Sequence, residues 1–323
     1  MRLGRRTLLQ LTARAAAVIA VPDLVQAEDY PTRPVRVIVG VPAGNAPDII
    51  SRLVGDWLSN RLDQQFITDN RPGAANNIAT EIVAHAAPDG YTLLLAISTN
   101  AVNETLYRNL NFDFVSDLAP VAGIGRTTFV MTVPPSFPAK TFPEFIEYAR
   151  ANPGEVYLGS QGIGTTPHVC GELLNLMTGI KMVHVPYRAN LMPDLLAGRV
   201  QVYFAAIAQG LEFVKDDRLR ALAVTTVTRN EALPAVPAIA EFVPGYEAVG
   251  WYGICVPSGT PAPIIDKLAA EILAGVADPQ IKARLLALGV EPKPQTTAVF
   301  KAFIGNEVER WAKVIKFADL KAD

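Results

Sequence analysis

Two short loops carry the residues whose types and spacing suit them to hold a small anion. The first reads Val39-Gly40-Val41-Pro42-Ala43-Gly44-Asn45-Ala46-Pro47-Asp48-Ile49-Ile50. The second reads Leu158-Gly159-Ser160-Gln161-Gly162-Ile163-Gly164-Thr165-Thr166-Pro167-His168-Val169-Cys170. Each joins an apolar run to an amphipathic one and places a Gly three residues before a Pro. Apolar positions 49, 50, 53, 54 and 57 match 169, 170, 173, 174 and 177 at the same offset from that Pro. Proline at a first helical position is pre-organised and forfeits no useful donor. Glycine lets the backbone approach a ligand closely. A helix N-terminus then offers unpaired N–H groups and about half a positive charge. Two such ends facing across a cleft would clamp a small anion. The plainer alternative is a pair of Gly-Pro loops that only start helices.

Other chemistry is sparse. Gly159, Gly162 and Gly164 have neither the dinucleotide nor the P-loop spacing. Ser160 directly follows Gly159, so no G-x-S-x-G nucleophile elbow forms. His85, His168 and His184 fall on separate elements without metal-ligand spacing. No metal site and no cofactor are expected. His168 reads either as a pocket donor or as a first-turn helix residue. Cys170 and Cys255 both lie in apolar runs. A disulfide between them is one option, and two buried thiols are the simpler one.

The elements that must position these loops alternate. Strand patterns cover 35–41, 65–69, 91–97, 156–159, 181–185, 200–205, 219–225 and 251–256, with strand-like runs inside 121–133. Helical spacing covers 49–58, 78–87, 142–151, 169–177, 194–196, 264–276, 281–288 and 299–317, and Thr141 is a good N-cap. Alternation of this kind implies an α/β fold with mainly parallel sheets and ligands at strand C-terminal ends. The chain's 323 residues suffice for about two domains. It is half hydrophobic and 19% charged, which argues against extended disorder. A net charge of −2 gives no basic excess for nucleic acid.

The first residues read as an address. Arg2, Arg5 and Arg6 precede an apolar stretch over 8–21, and Val25-Gln26-Ala27 resembles a cleavage site. The stretch is short for a membrane span and carries Arg14. Gly4-Arg5-Arg6-Thr7-Leu8-Leu9 also fits a twin-arginine signal, so the export route stays open. Residues 1–27 are therefore expected to be a signal removed near Ala27, with the mature protein in the periplasm. An amphipathic N-terminal helix is the alternative.

Several segments resemble one family. Tyr30-Pro31-Thr32-Arg33-Pro34-Val35-Arg36, Asn70-Arg71-Pro72-Gly73-Ala74, Ala87-Pro88-Asp89-Gly90-Tyr91, His184-Val185-Pro186-Tyr187 and Pro257-Ser258-Gly259-Thr260-Pro261 are similar, in that order, to the tripartite tricarboxylate transporter receptors, or Bug solute-binding proteins. The resemblance implies a two-lobed, type II Venus-flytrap fold. Residues 28–130 plus 251–323 would form lobe one and 131–250 lobe two. It also implies closure on a small carboxylate held by backbone N–H groups and hydroxyls, in a monomer that hands its ligand to a membrane permease or sensor. The implied contacts are Pro42, Ala43, Gly44, Asn45, Ala46 and Asp48 in the first loop. In the second they are Gly162, Ile163, Gly164, Thr165, Thr166 and His168. Ser98, Thr99 and Asn100 follow the strand ending at Ile97 and supply further donors, and Ala205 forms a wall.

This chain departs from the family pattern at Asn45, where a second glycine is usual, and at Pro47, where a hydroxyl residue is usual. Asp48 is expected to fix its loop rather than meet an anion, since two carboxylates repel. Ala205-Ala206 stands where an acid often follows the strand. Two other readings are a secreted α/β hydrolase, which lacks an evident nucleophile–base pair, and an exported interaction protein with a degenerate pocket.

Overall fold

The computed structural model describes residues 30–187 and 190–322. The expected signal segment and its cleavage site lie outside them. In chain order the described elements are β1 (Val35–Val39), α1 (Ala46–Leu62), β2 (Phe66–Asn70), α2 (Asn77–Ala84), β3 (Thr92–Ile97), α3 (Ser98–Leu106), β4 (Leu118–Thr127), β5 (Phe129–Val133) and α4 (Phe142–Ala151). There follow β6 (Val156–Ser160), α5 (Thr166–Thr178), β7 (Met182–Pro186), α6 (Met192–Leu196), β8 (Val202–Ala206), α7 (Ile207–Lys215) and β9 (Arg220–Val224). The chain closes with β10 (Gly250–Pro257), α8 (Ala262–Ala277), α9 (Pro279–Ala287), β11 (Val290–Gln295) and α10 (Thr297–Phe317).

Local chemistry accounts for most of these bounds. Thr141 caps α4 as expected, its hydroxyl accepting from Glu144 N–H at 3.3 Å. Asp278 caps α9 by accepting from the N–H groups of Gln280 and Ile281. Gly179 ends α5 in the left-handed conformation, φ +72°. Pro47 and Pro167 sit one residue further in than expected, because α1 begins at Ala46 and α5 at Thr166. The correction is tolerated because the second N–H of a helix also lacks an intrahelical partner.

Two sheets result. The first has the order β11-β4-β10-β3-β1-β2 and the second β7-β6-β8-β5-β9. Each contains a parallel trio, β2-β1-β3 and β7-β6-β8. Each trio is extended by strands that enter antiparallel, β10 and β4 in one sheet and β5 and β9 in the other. Both sheets are therefore mixed around a parallel centre, and the two halves repeat one topology. That duplication underlies the echo between the two loops: β1–α1 and β6–α5 are equivalent units. The chain passes from the first sheet to the second at Thr128, between β4 and β5. It returns along 225–249, where Ala248 N–H donates to Thr225 O at 3.0 Å.

Three elements were missed in the sequence. α3 and α7 each follow directly on a strand without a Gly or Pro break. β11 contains Pro292 and Pro294 yet pairs with β4 through Val290, Glu291, Pro292 and Gln295, with an irregularity between the last two. It lies at the sheet edge, where proline's missing N–H faces no partner strand.

A shared core ties the layers together. Ile38 and Leu94 of the first sheet and Leu158 and Phe204 of the second join one apolar cluster with Val102, Leu106, Val169, Trp251, Phe300 and Trp311. Trp251 is 1% exposed and meets Phe300 and Phe303 edge-on at 5.7 and 5.8 Å. A second cluster covers the other face of the second sheet, through Tyr203, Ala205 and Leu195.

Candidate functional site

The strand C-terminal ends of both trios carry loops that start helices, so their N–H groups and dipoles point the same way as in many ligand-binding α/β sheets. At β1, Gly40 has no room for a side chain, because a Cβ there would overlap Asn76 Oδ1. The next residues turn outward: Pro42, Ala43, Gly44 and Asn45 are exposed and Ala46 is half-buried. Asn45 occupies the N-cap position but makes no capping bond; its amide donates instead to Pro42 O at 3.0 Å. Asn70 at the end of β2 donates to Val41 O at 3.0 Å.

Asp48 does what the charge argument expected. It is 2% exposed and its Oδ2 accepts the Gly44 N–H at 2.9 Å. Arg52, one turn along, pairs with it at 2.9 Å. Burial pushes the carboxyl pKa up, but Arg52, Gly44 and Asn70 together hold it below the usual carboxylate range. Asp48 thus fixes the loop and faces inward.

The β2–α2 turn is strained. Ala74, Ala75 and Asn76 take φ of +44°, +50° and +80°, a run of left-handed non-glycine residues. Each costs about 1–2 kcal/mol relative to ordinary backbone. Buried amides over-determine the turn. Asn76 donates to Asn100 Oδ1 at 2.9 Å, Asn100 to Thr80 Oγ1 at 2.7 Å, and Asn103 to Ala75 O at 2.7 Å. Asn100 Oδ1 also accepts the Ile97 N–H at 2.8 Å, which caps α3. Asn100 is therefore a scaffold for the α3 N-terminus rather than an open donor. Ser98 and Thr99 form the first turn of that helix.

The two halves meet at hydroxyls. Ser98 Oγ lies 3.1 Å from Thr166 Oγ1, which joins the first turn of α3 to the first turn of α5. Gly164, with φ +78°, packs so closely on α3 that a Cβ would overlap Leu106 Cδ2. In the β6–α5 loop Thr165 donates to Gly162 O at 2.8 Å. Gly162 is half-buried and Ile163 is 45% exposed at the loop tip.

His168 is turned inward, 1% exposed, and its Nδ1 accepts the Gly164 N–H at 3.1 Å. The first-turn reading of this residue fits its place, and a donor aimed outward does not. Ala205 is fully buried in β8, its Cβ beside the space that a side chain at Gly210 of α7 would occupy. Cys170 and Cys255 are both free and buried.

Sequence reasoning missed one pair. Ser160 Oγ and His184 Nε2 are 2.6 Å apart. Ser160 is fully buried, and its Oγ also meets the N–H and the carbonyl of Gly162, each at 3.0 Å. Burial and the neighbouring His168 push the His184 pKa down to about 3. This imidazole is a poor base and this hydroxyl is closed to solvent, so the pair holds the loop. No sequence spacing marked them: Ser160 ends β6 and His184 lies in the middle of β7, opposite Leu158. Asn76 and Asn103 were also missed, although Asn103 lies one helical turn after Asn100.

Among the described residues, no group of three His, Cys, Asp or Glu side chains could hold a metal. No described helix is long and apolar enough to cross a membrane. The site therefore offers hydroxyls, N–H groups and helix ends, with Arg52 engaged by Asp48.

A duplicated two-sheet α/β architecture with this donor set is that of solute-binding receptors. Residues 50–320 match the tripartite tricarboxylate transporter family receptor profile, and the chain belongs to that family. It is 33% identical to BugT of Bordetella pertussis over 307 residues, 94% of each chain. Among solved structures it is similar to R. palustris Rpa4515 with adipate, at 33% identity and a TM-score of 0.77, over 91% of this chain and 99% of that one. It is also similar to MatC from Rhodopseudomonas palustris with bound malate, at 27% identity and a TM-score of 0.74, over 88% and 100%. The chain is thus a solute-binding receptor of a periplasmic family. The hydrolase and degenerate-pocket alternatives have no support.

Proposed function

We propose that this receptor captures a small carboxylate between two lobes, residues 28–130 plus 251–323 and residues 131–250. The observation that carries this reading is the Ser98–Thr166 hydroxyl contact, where the first turns of α3 and α5 meet at the C-terminal ends of both sheets. The adipate bound to Rpa4515 and the malate bound to MatC support an acid as ligand. Donors to it are the one hydroxyl proton that the Ser98–Thr166 contact leaves free and the N–H groups of Ala43, Asn45 and Ala46. Micromolar affinity requires about −8 kcal/mol. Helix ends supply roughly 0.3–2 kcal/mol each, so about four to six hydrogen bonds to the charged group, at roughly 1.5–3 kcal/mol, offset its desolvation.

The reading includes export with cleavage near Ala27, a monomeric mature protein without cofactor, and hand-over of ligand to a membrane permease or sensor. It includes no catalysis, which the closed Ser160–His184 pair supports. A thermal-shift screen of the mature protein, stripped of co-purified ligand, tests it against mono- and dicarboxylates, amino acids and aromatic acids. At about 100 times Kd a ligand stabilises by roughly 2.7 kcal/mol. A shift confined to one class of acids names the substrate. No shift with any acid refutes carboxylate capture.

A further inference from the structure

The β6–α5 loop is held by a buried cluster that ligand contact alone does not explain. His168 Nδ1 accepts the Gly164 N–H at 3.1 Å. Its ring stacks on that of His184 from β7, with centroids 3.5 Å apart and planes at 16°. Its Nε2 faces Glu172 Oε1, one turn further along α5, at 3.6 Å. His184 in turn reaches Ser160 Oγ, which meets both the N–H and the carbonyl of Gly162. Both glycines of the loop are thus tied to the two imidazoles.

The first half contains the same device in different chemistry. Gly44 donates its N–H to Asp48 Oδ2 at 2.9 Å. Asp48 follows Pro47 as His168 follows Pro167. Asp48 pairs with Arg52 four residues on, as His168 faces Glu172 four residues on. One acceptor position on the first helical turn therefore serves one glycine N–H in each half. A carboxylate fills it once and an imidazole once. Both N–H groups are withdrawn from the ligand, so hydroxyls and the remaining loop N–H groups must meet it.

An imidazole can fill that role only with a lone pair on Nδ1, which places its proton on Nε2, toward Glu172. Stacking on His184 fixes the plane of the ring, and with it the direction of the lone pair. We propose that His168 is a positioning residue for ligand capture: its Nδ1 takes up the Gly164 N–H and holds the β6–α5 loop so that Thr166 faces the ligand. The proposal rests on the carboxylate-capture reading for its functional consequence, but the loop geometry stands without ligand.

Two measurements separate these. Hydrogen exchange of the ligand-free protein reads the Gly164 amide in the 161–167 segment. Calorimetry reads the affinity for adipate and for malate. His168→Ala removes the acceptor, and exchange is expected to rise at least about tenfold, with a comparable loss of affinity for whichever acid binds. His168→Asn places an amide oxygen where Nδ1 stood and is expected to restore both to within about threefold of the original. If His168→Ala does not fold, His168→Met replaces it, filling the space without a strong acceptor. Unchanged exchange in the acceptor-less variant overturns the proposal, and so does His168→Asn behaving like His168→Ala. A parent protein that binds neither acid counts against the ligand reading alone, and the exchange result still decides the role of His168.

Discussion

Gly164 separates the strain of the binding loop from its contact with the opposite sheet. It has φ +78°, and a Cβ there would overlap Leu106 Cδ2 and lie 3.6 Å from Val102 Cγ1, both on α3. The left-handed backbone costs an L-residue about 1–2 kcal/mol wherever α3 lies. The overlap with Leu106 costs about 1–3 kcal/mol, but only while the loop and α3 are in contact. If ligand is captured by bringing these two elements together, the first term lowers stability and the second lowers affinity. Gly164→Ala is expected to lose about 2–8 °C in Tm, at roughly 2–4 °C per kcal/mol. Its affinity should fall about 5- to 150-fold, since 1.4 kcal/mol is tenfold. Gly44→Ala is the control. Its φ is +87°, but no atom lies within 4 Å of the added Cβ. It should lose similar stability and change affinity by less than about threefold. Leu106→Ala placed in the Gly164→Ala background should recover binding. Calorimetry with the strongest acid from the screen and differential scanning fluorimetry make the comparison. Equal affinity losses at Gly164 and Gly44, or no recovery with Leu106→Ala, would refute the reasoning.

Other outcomes follow from the same contacts. Asp48→Ala removes the acceptor of the Gly44 N–H and the partner of Arg52. With Arg52 half-exposed and screened, the loss should be about 2–3 kcal/mol in urea unfolding, and Asp48→Asn should lose less. His184 is held neutral by burial and by His168, so its pKa falls from the ordinary 6.5 to about 3. The unfolded chain then binds the extra proton, and stability that is complete above about pH 6.5 should decline as pH falls toward about 3. His184→Asn should flatten that decline in a series of urea midpoints, and an unchanged slope would reject the assignment. Burial pushes the Cys170 and Cys255 thiols well above their usual range. A thiol reagent should leave both unlabelled in the folded protein and label both after unfolding; labelling of either in the folded state would show that its site opens.

Much of this architecture was legible because it is local. A β-branched run marked β1, a short run from Val156 to Gly159 after the Asn152-Pro153-Gly154 stop marked β6, and helical spacing after Pro47 and Pro167 marked α1 and α5. The shared offset of those patterns recorded the echo between the two loops, and the strand order makes β1–α1 and β6–α5 equivalent units. The inward role of Asp48 followed from charge alone. α3 and α7 escaped because each continues a strand without a breaking residue. β11 escaped because its two prolines argue against a strand everywhere except at a sheet edge.

The contacts between halves could not be read in the same way. Ser98 and Thr166 are 68 residues apart. Ser160 meets His184 only because β6 and β7 are parallel neighbours in register at Leu158 and His184. Asn45 and Pro47 are the departures from the family pattern; Asn45 bonds its own loop and Pro47 sits within the first turn of α1. His168 and Ala205 both looked available, and both are buried. Periodicity and turn chemistry act over a few residues, so the chain's own sequence determined its elements and the Gly-Pro loops that begin two of its helices. Which way His168 points, and which hydroxyls meet across the halves, depends on strand order and burial. These are set by the packing of residues far apart in the chain, where no local spacing records them.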